Sequence, residues 1–146
     1  MPPVDPRIAI WNTLHDGEIT VVRQTNDRVE MFVNVPYIRE RIEPLGDSFR
    51  ISLRGFRSFQ LTDADGKVQS SALVDLSRSG IEIFSTESTA MPVKVATTTG
   101  YLIFDFDELE IHLDTGERVS YETVFAASSD FWDEWEARAN AAKNSH

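Results

Sequence analysis

Between Gly100 and Leu113 apolar and polar side chains alternate almost without a break. Leu102, Phe104 and Phe106 fall on one side of an extended chain, and after a one-residue slip at Asp107-Glu108 that side continues as Leu109, Ile111 and Leu113. Strand side chains point to opposite faces with period two, so this is the signature of strands with one face in a core and the other in water. The wet face carries Asp105, Glu108, Glu110, His112 and Asp114. An antiparallel sheet follows. All six apolar residues are expected to be buried, with the slip a bulge or tight turn.

The same reading extends along the chain. Asp5 caps a short helix whose first position is Pro6 and whose apolar stripe is Ile8, Trp11 and Leu14. Glu18 to Gln24, with Ile19 and Val21 inward, and Arg28 to Val35, with Val29, Met31, Val33 and Val35 inward, form a hairpin through Thr25-Asn26-Asp27. Pro36 ends the ladder, a helical turn covers Tyr37 to Glu43, and Pro44-Leu45-Gly46-Asp47 turns the chain. Ser48 to Leu53 is a strand burying Phe49, Ile51 and Leu53, and beyond Gly55 another holds Phe56, Phe59 and Leu61. The turn Asp63-Ala64-Asp65-Gly66 lacks the spacing of a calcium loop. Ser70 to Arg78 has the spacing of a short helix. Further strands are Ile81 to Phe84, Val93 to Thr98, two within the opening segment, and Arg118 to Val124 after the turn at Asp114 to Glu117. Ser128-Ser129-Asp130 is expected to cap a C-terminal helix to about Lys143, docked through Phe131 and Trp135 in a stripe with Ala139 and Ala142.

These elements predict a mainly β (α+β) single domain over residues 1–146, an antiparallel twisted sheet forming a sandwich or partly open barrel of roughly eight or nine strands. A chain of 146 residues buries about 70% of its unfolded surface. With no cysteine there is neither disulfide nor thiolate chemistry. No leader-like or membrane-spanning segment is present, so a soluble cytoplasmic protein is expected.

Charge narrows the partners. Against 14 Lys+Arg stand 24 Asp+Glu, a net charge of −10, which argues against nucleic acid and anionic membranes. Residues 100 to 136 hold 11 acids and one base, Arg118. Residues 39 to 57 hold Arg39, Arg41, Arg50, Arg54 and Arg57 against three acids.

Site chemistry is sparse, and no cofactor is implied. Glu110, His112 and Asp114 share a strand face, but neighbours about 7 Å apart are too far apart for one strand to close a metal sphere. His15-Asp16 is a histidine–carboxylate pair in sequence, and the expected role of His15 is to cap the N-terminal helix. No nucleophile elbow, phosphate loop or dinucleotide fingerprint occurs. Trp132, off the docking stripe, is a candidate surface anchor with an acidic rim suited to Lys or Arg.

Leu14-His15-Asp16-Gly17-Glu18-Ile19, the Gly116 hairpin with Val119-Ser120-Tyr121, and Phe131-Trp132-Asp133-Glu134-Trp135 resemble a loose group of small bacterial β-rich proteins, some of them similar to immunity proteins of toxin systems. The resemblance implies a β-rich fold and no catalytic residues. The expected function is a non-enzymatic interaction protein, of inhibitor or immunity type, that binds a basic protein through an acidic face containing Glu108, Glu110, His112, Asp114 and Trp132. The alternative is a small-ligand carrier, its apolar pocket lined by Phe49, Phe56, Phe59, Phe104 and Phe106, with Arg50 or Arg54 at the mouth orienting an anionic group.

Overall fold

A computed structural model describes residues 5–72, 80–86 and 88–144. The chain begins with α1 (Pro6–Thr13), β1 (Glu18–Thr25), β2 (Arg28–Asn34), α2 (Pro36–Arg39), β3 (Ser48–Arg54), β4 (Ser58–Thr62) and β5 (Val68–Ser70). It continues with β6 (Ile83–Thr86), β7 (Val93–Thr97), β8 (Tyr101–Asp105), β9 (Glu108–Leu113), β10 (Arg118–Val119) and α3 (Tyr121–Asn144). Two five-stranded antiparallel sheets result, β1-β2-β3-β9-β10 and β5-β4-β8-β7-β6, and they do not close into a barrel.

The core takes alternate residues from both sheets: Val29, Met31 and Val33 of β2, Phe49, Ile51 and Leu53 of β3, Val93 and Val95 of β7, Leu102 and Phe104 of β8, Ile111 and Leu113 of β9. Helix α1 closes one end as its cap predicts, with Asp5 Oδ1 accepting from the Arg7 N–H at 3.0 Å. Its Trp11 is fully buried, meeting Phe104 edge-on at 5.1 Å and donating its indole N–H to Arg7 O.

The phase slip at Asp107-Glu108 is not a bulge or tight turn within one sheet. β8 and β9 lie in different sheets, and the chain crosses between them at Phe106-Asp107. Alongside, β3 crosses to β4 through Gly55 in the opposite direction. The paired backbone continues across the crossing: Arg57 N–H donates to Asp105 O at 3.0 Å and Asp107 N–H to Arg54 O at 2.8 Å. Such sheet-switching corners join two layers at a sharp angle. Gly55 is required there, because its φ is +69° and a Cβ would overlap the Asp107 carboxylate. The sheets also meet at a second corner, where Ile19 N–H donates to Ile81 O and Ile83 N–H to Gly17 O.

Other expectations are corrected locally. A bulge between Ile19 and Val21 turns Val21 outward and packs Val22 against the core instead. Leu109, at the crossing, is only partly buried. Arg118 to Val124 is not one strand: β10 ends at Val119, and Ser120 Oγ accepts from the Thr123 N–H at 3.1 Å, starting α3 eight residues before the expected cap at Ser128-Ser129-Asp130. Of the helix expected over 70–78, Ser70 instead ends β5, and residues 73–79 lie outside the described residues.

Candidate functional site

Register decides what the outer face of the first sheet carries. β3 lies between β2 and β9, so the arginine-rich and acid-rich stretches of the sequence become neighbouring rungs of one ladder. Arg28, Arg54 and Glu108 form one rung, Glu30, Ser52 and Glu110 the next, and Phe32, Arg50, His112 and Arg118 the third. Opposite charges on adjacent strands attract, and here they pair.

The acids of β9 are therefore largely engaged. Glu110 accepts Arg28 Nη2 on one oxygen and Arg54 Nη2 on the other, both at 3.1 Å, and Glu108 stands 4.0 Å from Arg54. Asp114 takes Arg39 at 2.8 Å and the N–H groups of Asp47 and Ser48 at 3.1 and 3.2 Å. Burial raises the Asp114 pKa, but these hydrogen bonds outweigh it and the carboxyl titrates below its ordinary value. This row is a mixed-charge face.

His112 sits between Arg50 and Arg118. Burial and the adjacent Arg50 charge lower its pKa against the opposing pull of Glu110, and its Nδ1 is buried without a hydrogen-bond partner. Sequence reasoning placed Arg50 at the mouth of an inner pocket. The ladder instead points it outward, away from Phe49 and Ile51. The phenylalanines expected to line that pocket pack on one another, Phe104 stacking with Phe106 at 5.9 Å and with Phe56 at 6.3 Å.

Trp132 belongs to a second surface. Helix α3 docks through Val124, Ala127 and Ser128, all buried, and then through Phe131, which packs on Tyr37 at 4.4 Å beneath Arg41. Arg41 pairs with Glu134. Trp135, four residues beyond Phe131, is in phase with this stripe but 53% exposed, because the helix has run past the body. It continues without tertiary support on an Ala-rich segment, in which every described side chain from Trp135 to Lys143 except Ala139 is exposed. Trp132 bridges the docked and free parts, with its ring 5.8 Å from Tyr37, 5.9 Å from His15 and 5.9 Å from Trp135.

His15 does not cap its own helix. Its Nδ1 meets Phe84 O, and its Nε2 lies 3.4 Å from Asp16, which reaches back because Asp16 takes a positive φ of 68°. The sequence reading missed Phe125, 51% exposed on α3. It shares with Trp132 a cleft of about 280 Å³ against the end of α1. Seven residues apart, the two rings fall on one helix face, a signal hidden by the late placement of the helix start.

No known family model matches the chain, and comparison with curated proteins and with solved structures gives no match either.

Proposed function

We propose that this protein is a non-enzymatic interaction module, of inhibitor or immunity type, that binds a basic protein through the free part of α3. The observation that carries the reading is Trp135: a large aromatic residue in phase with a docking stripe, yet left half in water by its own fold. Trp132 and Trp135 supply amphipathic anchors of the kind that dominate protein interfaces, and Phe125 adds an exposed apolar ring on the docked part of the same helix. Asp133 and Glu136, next to these tryptophans in the helix, are exposed and form no ion pair among the described residues. Their charge favours a partner presenting Lys or Arg. It acts mainly on encounter, while the rings set residence time.

The acidic contribution thus moves from β9, where Arg28, Arg39 and Arg54 neutralise it, to the helix. A photo-crosslinking side chain at exposed position 138, one turn beyond Trp135 and leaving both tryptophans in place, used in the source cell, tests the proposal. A cationic protein captured in wild type and lost on reversing Asp133 and Glu136 to Lys supports it. Capture that ignores both reversals, or no capture at low ionic strength, overturns it.

A further inference from the structure

Five buried side-chain polar atoms among the described residues have no hydrogen-bond partner, and four lie on the outer face of the first sheet: Arg28 Nε, Arg50 Nε, Ser52 Oγ and His112 Nδ1. Buried polar groups are nearly always satisfied, so four orphans on adjacent rungs call for a physical account. Ser52 alternates with the inward Ile51 and Leu53, which directs it outward, yet it is fully buried under the surrounding side chains.

The rung Arg50–His112–Arg118 is cationic across three strands. Arg28 and Arg54 on the same face hold carboxylates, whereas Arg50 and Arg118 form no ion pair among the described residues. In a chain with 24 acids, two arginines that flank one histidine with no ion-pair partner among the described residues, one of them half-buried, make an unbalanced local field. Cross-strand neighbours stand about 5 Å apart, so both guanidinium groups can reach a point above the imidazole. The net negative charge of the molecule does not forbid this, because exposed charges beyond about 10 Å are screened at 0.1 M salt.

We infer that Arg50, His112 and Arg118 form an oxyanion site that takes a phosphate group. A carboxylate is planar and is satisfied by one guanidinium fork, whereas donors approaching from three strands suit a tetrahedral anion with several acceptor oxygens. Arg118 is exposed and Arg50 and His112 are partly so, which leaves the site open to solvent.

The test is the His112 imidazole resonance, assigned through His112→Asn and titrated with inorganic phosphate at constant ionic strength. The groups facing His112 are Arg50 on β3, Arg118 on β10, Arg28 on β2 and Glu110 on its own strand. Bound phosphate adds negative charge among them and should raise the His112 midpoint. Arg50→Gln and Arg118→Gln should each weaken phosphate about tenfold. Arg118 is exposed, so its variant reads out the site even where Arg50→Gln fails to fold. Phosphate shifting His112 no more than chloride does, acetate binding as tightly as phosphate, or Arg118→Gln binding like wild type would each overturn the inference.

Discussion

Arg39 and Asp114, 75 residues apart, meet at 2.8 Å, and the guanidinium is fully buried. Arg39 also donates to Ser48 O at 3.2 Å and to Ile42 O at 2.9 Å, so one side chain ties α2 and the loop after it to the end of β9. A buried cation that loses its partner is far costlier than a surface pair. Asp114→Ala should therefore destabilise the fold by about 3 kcal/mol or more, read as a lower urea midpoint. Reversing Glu108, Glu110 and Asp114 together should unfold the protein, although acids on a wet strand face are ordinarily dispensable.

Gly46 lies against the same pair. A Cβ there would overlap the Asp114 carboxylate and come within 2.7 Å of Arg39 Nη2. Gly46→Ala should lower stability by about 1–3 kcal/mol, as overpacking does. Asp114→Ala should remove part of that penalty, so the two changes should prove non-additive in a double-mutant cycle.

Acid should loosen the fold in two stages. Folded His112 has a pKa below its ordinary 6.5 and folded Asp114 one below 3.8. In each case the unfolded chain binds the proton first, so stability is complete above the ordinary value and is lost as pH falls through the folded one. Urea midpoints measured from pH 7 down to pH 3 should fall first below pH 6.5 and again below pH 3.8. His112→Asn should flatten the first stage alone.

Two tryptophans should respond oppositely to truncation. Trp11→Ala opens the core and should cost about 3–5 kcal/mol. Trp135→Ala, on the free part of α3, should change stability by less than about 0.5 kcal/mol while weakening partner capture. Chemical denaturation of both variants beside wild type checks the contrast.

The difference between Trp11 and Trp135 also shows what a sequence conveys. Period-two alternation located most strands, and helical phase correctly aligned Trp135 with Phe131, because both patterns are local. How far the body extends under α3 is not local, so the phase was right and the burial wrong. The slip at Asp107 is equally ambiguous: a bulge, a tight turn and a crossing between sheets all shift the phase by one residue. Ser120 as the α3 cap could have been found, but the β-branched Thr123 and Val124 favoured a strand reading. Charge counting separated an acidic stretch from a basic one, and only the pairing of β3 with β9, set by residues about 60 apart, joined them.

The crossing at Gly55 and Asp107 has a mechanical consequence. Because β3–β4 and β8–β9 stay bonded to each other as they pass from one layer to the other, parting the layers at that corner means unzipping main chain rather than sliding side chains apart. The two sheets behave as one creased strip, and strain introduced in either is carried to the other through the backbone.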